Sequence, residues 1–351
     1  MSHVGWKTGF EIELIAPVGK NRRDLAYSIA AISGGSVQTI FYPQSEPSKA
    51  SGIQVFENLV LGFEALRADG SRIALCVDDL TIISDLDFHV KSKKGWYRII
   101  SDDARLLELV IVNCDPNEKQ HNVLMPVAKL FGSELQRNDG EMFMVNDRFK
   151  RSVAIAATLP GERERVCEII TAPIVEDHHD TLTSLLTCAT KMGFSVPKEA
   201  ATHIHYDAKK LKNARVFSRM VDVFDLHGDK FKSFVKSNPH CRRLGALSTK
   251  LVQQCREPGF SKIGWKPARK KLESLGISKF TDFNFLNLIN ETPNKDTFEV
   301  RILPGSTNAD EIIASAKMFA RVLDWCCEVE PDVQTPVDFT KLLEVAGVQH
   351  R

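Results

Sequence analysis

Three short segments, far apart in the chain, share one alternation that limits how the chain can fold. They are "TGFEIEL" from Thr8, "THIHYD" from Thr202 and "TFEVRIL" from Thr297. In a strand, successive side chains point to opposite faces. Phe10, Ile12 and Leu14 then line one face of the first strand, Ile204 and Tyr206 one face of the second, and Phe298, Val300 and Ile302 one face of the third. The opposite faces carry Glu11 with Glu13, His203 with His205 and Asp207, and Glu299 with Arg301. Each strand has an apolar back for a core and a front of charged or ligating groups. A wet outer face would explain any one of them, since antiparallel sheets commonly solvate one side.

Two glutamates side by side repel, which water tolerates and a crevice does not unless a cation lies between them. Singly, H-x-H is most often a surface or core histidine pair, and E-x-R a surface ion pair of small energetic value. Together the three fronts supply what a nucleotide site needs: carboxylates for a hard divalent cation, imidazole as a further ligand, and a guanidinium for phosphate oxygens. "GERERVCEIITAP" adds Glu168, which shares its strand face with Ile170. A carboxylate in that setting is buried and paired, or bound to a metal. "NPHCRRLG" adds the adjacent Arg242 and Arg243, which surface charge would equally explain.

At 351 residues the chain can bury a large core. Its 43% hydrophobic and 26% charged content is that of a globular protein. Eight cysteines form no C-x-x-C pair, and Cys326 adjoins Cys327, so neither a zinc knuckle nor a disulfide framework is suggested. Without a signal-peptide pattern or a membrane-spanning apolar run, a cytoplasmic location is expected. The net charge of +1 hides an excess of 13 positive charges between Lys209 and Lys271, with 17 Lys and Arg against 4 Asp and Glu. Basic stretches bind nucleic acid, phosphate groups or acidic substrates. Aromatic residues do not interleave regularly with these charges, which argues against a single-strand nucleic-acid platform.

Asn21 caps an expected helix in "NRRDLAYSIAAISGG", and Gly34 and Gly35 stop it. Short apolar runs and turns such as "ADGS" make the chain strand-like from about 37 to 160. Asp180 is expected to cap a helix ended by Gly193. The basic stretch is helical through Val216, Phe217, Met220, Val221 and Phe224. Asn308 and Glu311 form a capping pair for a long helix through Ile312, Ala316, Phe319 and Leu323. Strands and helices alternate irregularly, which favours α+β over a doubly wound sheet. The expectation is a single domain over 1–351 with a β-rich elaboration at about 37–160.

In their order, "GFEIEL", "CEIITAP", "HIHYD" and "TFEVRILPGST" resemble the amidoligase family of carboxylate–amine ligases, relatives of glutamine synthetase and glutamate–cysteine ligase. The resemblance runs from Gly9 to about Leu323. It implies a glutamine-synthetase-like curved antiparallel sheet with helices on its convex side. It also implies ATP-dependent joining of a small-molecule or peptide carboxylate to an amine, with ATP and Mg2+ (or Mn2+) as cofactors and neither nucleic acid nor membrane as partner. Carried over, Glu11, Glu13, Glu168, His203 and Glu299 are metal ligands. His205 lies near the nucleotide or reacting carboxylate, and Arg301 contacts phosphate. "CRRL" puts Arg242 and Arg243 near a substrate carboxylate or phosphate, and the "LNL" element adds Asn287. Asp102, Asp103 and Arg105, in a stretch loosely similar to a family strand, are further substrate candidates, and Asp207 is a guess for the base that deprotonates the amine.

The chain departs from the family pattern in three places. "EAATHIHYD" lacks the glycine and small residue often found before the histidines. Phe283 and Asn284 replace an Arg-Tyr pair, and the 37–160 segment is longer than the usual connection. Two other readings use the same residues: a metal-dependent hydrolase, which needs no phosphate clamp, and a non-catalytic binding protein of this fold. ADP release on adding ATP separates the three.

Overall fold

The computed structural model describes residues 3–45, 57–138, 141–241, 244–292, 295–330 and 333–348. Arg242 and Arg243 lie outside them. In chain order the first strands and helix are β1 (Thr8–Ile15), α1 (Arg22–Ile32), β2 (Ser36–Ser45), β3 (Glu57–Leu66), β4 (Arg72–Val77) and β5 (Tyr97–Ser101). Then come α2 (Ala104–Asn113), α3 (Met125–Leu130), β6 (Gln136–Asn138), β7 (Met142–Asn146), β8 (Ser152–Thr158) and β9 (Val166–Thr171). The chain continues through α4 (His178–Lys191), β10 (Ala201–Asp207), α5 (Ala214–Val235), α6 (Thr249–Arg256) and α7 (Trp265–Glu273). Last are β11 (Phe283–Asn284), α8 (Leu286–Asn290), β12 (Thr297–Pro304), α9 (Ala309–Glu328) and α10 (Phe339–Val345). The expected mixture of helices with antiparallel strands is present. No helix among the described residues is long and apolar enough to cross a membrane.

The chain divides into two compact units. The first comprises residues 1–12, 173–187 and 199–351, and the second residues 13–172 and 188–198. In the first, the strand order is β11, β12, β10, β1, paired antiparallel. The alternation in the sequence explains its packing. Phe10, Ile12, Ile204, Tyr206, Phe298, Val300 and Ile302 are all buried. Phe298 meets Phe224 of α5 with centroids 5.2 Å apart, and Phe224 stacks on Phe283 at 4.2 Å. Phe231 packs on Phe319 of α9 at 5.3 Å. Tyr206 donates its buried hydroxyl to the Ala316 carbonyl at 2.7 Å, so α9 is tied to β10 by a satisfied polar contact inside an apolar core. This packing fixes the backs of β10 and β12 and so the direction of their fronts.

The second unit runs from the end of β1 through β9, β4, β3, β5, β8, β7 to β6, with β2 on β3. The ten residues of β3 pair with β2 throughout, with β5 over their first part and with β4 over their last. Beneath lies a buried charged knot. Arg163 Nε donates to Asp78 Oδ2 at 3.0 Å, with the two side chains 5% and 0% exposed. Arg163 also donates to the carbonyls of Ile82, at 3.0 Å, and Asp79. Fully buried Arg22 donates to the carbonyls of Leu61, Arg163 and Glu164 and stands 4.5 Å from the Trp96 ring centre. Burial pulls its guanidinium below the usual value, and Asp78 partly restores it.

Local readings hold in most places. Asn21 caps α1 with a complete capping box, and Gly34 follows with φ of +62°, which glycine adopts without a side-chain penalty. The "ADGS" turn joins β3 to β4. Two helix starts differ from expectation. α4 begins at His178, so Asp180 lies in its first turn rather than at its cap. Asn308 does cap α9, but Glu311 accepts from the Ser306 hydroxyl at 2.8 Å instead of closing a box.

Candidate active site

In the first unit the register sets Glu11 opposite His203, and His205 opposite Glu299. The fronts of β1, β10 and β12 therefore bring together residues nearly 300 positions apart. His203 Nδ1 lies 3.2 Å from Glu11 Oε2 and 3.4 Å from Glu299 Oε1. His205 Nε2 lies 3.1 Å from Glu11 Oε1 and 3.9 Å from Glu299 Oε1. Arg301 Nη1 donates to Glu299 Oε1 at 2.6 Å. Glu11, His203 and Glu299 each offer one ligand atom within 4.8 Å of the other two. Two carboxylate oxygens with one imidazole nitrogen suit a divalent cation such as Mg2+ or, because of the imidazole, Mn2+.

The electrostatics follow from this crowding. Burial alone would raise the Glu11 carboxyl, but His205 and His203 reverse that and hold it well below the usual range. Burial likewise opposes ionisation of Glu299, yet Arg301, His205 and His203 bring it down to about 2 against an upward push from Glu11. Burial would lower the His205 imidazole, and Glu11 and Glu299 raise it instead. Both carboxyls are thus drawn toward their ionised form, Glu11 by the two imidazoles and Glu299 by Arg301 with the imidazoles. A metal ion favours the same charge state.

Two residues of this cluster escaped the sequence reading as contributors. Asn284 on β11, itself buried, donates from Nδ2 to Glu299 Oε2 at 2.6 Å. Thr297 Oγ1 lies 3.0 Å from His205 Nδ1. Both signals were present: Asn284 is a polar residue between two buried phenylalanines, and Thr297 shares the strand face of Glu299 and Arg301. An Asn284→Ala variant leaves Glu299 Oε2 without its donor. It should lower the unfolding free energy by about 1–3 kcal/mol in urea titration. An unchanged midpoint and slope would show that the amide does not support Glu299.

In the second unit, Glu13 on β1 and Glu168 on β9 are buried at 5% and 8% exposure. Their carboxylates reach within 4.8 Å of each other, a separation at which a shared cation relieves repulsion. Asp102, Asp103 and Arg105 line an open cavity of about 660 Å³ in this unit. There Asp103 caps α2 and pairs with Arg105 at 2.5 Å. The hydrogen bonds from Arg105, with its charge, bring the half-exposed Asp103 carboxyl to about 2.

Two other candidates of the first unit lie on β10 and α8. The Asp207 carboxylate accepts from the Lys209 amide at 2.9 Å and lies 3.9 Å from Lys7 Nζ. Asn287 is half-buried on α8. Much of the basic stretch is engaged within the unit. Arg256 pairs with Asp222 and Asp225, Lys212 with Asp296, and Lys232 with Asp282. Asp282 in turn accepts from the Gly245 amide, and its carbonyl accepts from the Arg301 amide, both within 3.0 Å. The end of the "CRRLG" segment is thereby anchored beside β12.

Searches among curated proteins and among solved structures find no match. A family model described as "Putative amidoligase enzyme" matches residues 5–323. That span contains β1, β9, β10 and β12, the four strands whose fronts carry the acidic, imidazole and guanidinium groups, and it ends inside α9. With the motifs, their order and nearly the whole chain in agreement, the chain belongs to the amidoligase family.

Proposed function

We propose that this protein is an ATP-dependent carboxylate–amine ligase working through an acyl phosphate. The observation that carries the reading is the Glu11, His203 and Glu299 cluster with Arg301 on the same strand face. In this reading the strands belong to a glutamine-synthetase-like sheet whose polar face is the reaction floor. Glu11, His203 and Glu299 hold a divalent ion in the first unit, and Glu13 with Glu168 hold one in the second. Such ions, Mg2+ or Mn2+, supply neutralisation of phosphate charge.

A carboxylate oxygen is a poor leaving group, so the acid must be activated before an amine can displace it. The carboxylate oxygen attacks the γ-phosphorus of ATP, the bond to the β–γ bridging oxygen breaks, and ADP leaves. The amine nitrogen then attacks the acyl carbon, phosphate departs, and the amine's proton passes to a base, for which Asp207 is the candidate. The protein's task is positioning and charge stabilisation. Arg301 meets the transferring phosphoryl group with its planar fork, exchanging its contact with Glu299 for one to phosphate oxygen. His205 stands beside the reacting carboxylate. Arg242, Arg243 and Asn287, together with Asp102, Asp103 and Arg105 in the second unit, are the candidates for binding the acid and the amine, which are small molecules or peptides.

The test is incubation with Mg·ATP and pooled acids and amines, followed by mass spectrometry for condensation products. The nucleotide product should be ADP, with no AMP, because in this reading Arg301 and an ion held by Glu11, His203 and Glu299 would meet the terminal phosphoryl group. Hydroxylamine should trap the activated acid as a hydroxamate in step with ADP. Arg301→Lys should slow that step about a hundredfold, since an ammonium cannot reproduce a two-point contact. AMP in place of ADP would overturn the mechanism.

A further inference from the structure

In the second unit β2 is a long strand paired on one side. Its ten residues, Ser36–Ser45, pair antiparallel with β3 without a break in register. Among the described residues no strand takes its other side, and no loop backbone bonds to Val37, Thr39 or Phe41. Natural edge strands are protected by shortness, charge or proline, because their open N–H and C=O groups template further pairing. β6, at the end of this unit's strand order, has three residues and carries Arg137. β2 is much longer, holds no charged residue, and has its one proline, Pro43, near its end.

Two observations fix which backbone groups of β2 point outward. Proline has no N–H, so within a sheet it stands on an edge strand with its nitrogen turned from the ladder. Pro43 therefore faces away from β3. The Leu61 carbonyl, opposite Phe41, accepts from Arg22 Nε at 3.2 Å. Arg22 also reaches the carbonyl of Val166, the first residue of β9, which lies on the β4 side of β3. Leu61 thus turns its carbonyl away from β2, and its partner Phe41 turns the other way, outward. Hydrogen-bonded and open pairs alternate along an antiparallel ladder. Both observations therefore give the same parity: Val37, Thr39 and Phe41 direct their N–H and C=O groups out from the sheet.

We propose that this edge pairs antiparallel with β2 of a second copy of the chain, about a two-fold axis at Thr39. A two-fold contact sets one patch against itself, and this register is self-complementary. Thr39 meets its own counterpart and Val37 meets the partner's Phe41, pairings of the kinds that stabilise sheets. Val37, Thr39 and Phe41 each donate and accept across the axis, while Pro43 falls outside the paired stretch. With no charged side chain in the strand, two copies meet without repulsion, whereas a charged peptide finds no counter-charge there. The proposal does not rest on the ligase reading.

Sedimentation equilibrium of the full chain over a range of concentrations tests it, with amide exchange followed by NMR at the lowest and the highest. A reversible dimer is expected. The Val37, Thr39 and Phe41 amides should be protected only where the dimer is populated, and the Gln38 and Ile40 amides, bonded to β3, throughout. Thr39→Pro removes an outward N–H that β3 does not use and should weaken the dimer by about tenfold or more. Gln38→Lys, at an exposed side chain, keeps every backbone group and sets two ammonium groups diagonally across the axis, so it should weaken the dimer too. A monomer at every concentration, or a dimer that neither substitution weakens, would overturn the assignment. Protection of the three outward amides in dilute monomer would also overturn it, since the chain would then cover the edge itself.

Discussion

A Glu11→Gln variant is expected to keep its fold and lose at least about three orders of magnitude of ligase activity. The substitution preserves shape and the apolar back of β1, where Phe10 and Ile12 stay buried. It removes one of three groups converging on the Glu11, His203 and Glu299 centre. A metal clamp on transferring phosphate contributes several kcal/mol of transition-state stabilisation, and about 4 kcal/mol corresponds to a thousandfold. A second readout separates lost metal from lost fold. Wild-type melting should rise with Mg·ATP, by about 2.7 kcal/mol at a hundredfold excess over Kd, and chelation should abolish the rise. The variant should stay folded without ligand, melting lower than wild type because the Glu11 ion pairs with His203 and His205 are lost, and should lack the rise with Mg·ATP. Near-normal turnover in a folded Glu11→Gln protein would remove Glu11 from the metal site.

Arg163→Met should destabilise the second unit by about 3 kcal/mol, the lower end of the cost of breaking a buried ion pair. Methionine fills most of the arginine stem's space, so the cost comes from electrostatics rather than a cavity. Asp78 is left fully buried without its 3.0 Å donor, and the carbonyls of Ile82 and Asp79 lose theirs. The cost stays at the lower end because Arg22 is close enough for Asp78 to raise its basicity. Changing Asp78 to Asn in the same chain removes the orphaned charge and should recover a large part of the loss. Urea unfolding of the single and double variants measures this. If the double variant is no more stable than Arg163→Met, the ion pair is not the source of the effect.

The cluster was legible because the side-chain period of a strand is two. From "TGFEIEL", "THIHYD" and "TFEVRIL" alone, the fronts and backs of β1, β10 and β12 could be assigned, and the backs are buried as the alternation requires. Helix ends that depend on one local interaction were also readable, as at Asn21 and Gly34. The first-turn position of Asp180 was not, because a cap depends on the backbone entering the helix and not on the residue type alone.

By itself, then, the sequence determined which residue types face the same way, where the apolar backs lie and which family's motifs the chain carries. Register it could not determine. Which histidine stands opposite Glu11, and that Asn284 reaches Glu299, follow from pairings between strands up to 200 positions apart. Nor could it assign the partners of a charge. Arg163 reads as one more residue of a charged run, yet it is buried against Asp78, and α5's arginines read as a solvated face until the carbonyls beyond α9 orient them. Alternation is local and written in the spacing of residues. Register, burial of a charge and the choice of its counter-group are set by packing energies summed over distant segments, and those exist only once the chain has folded.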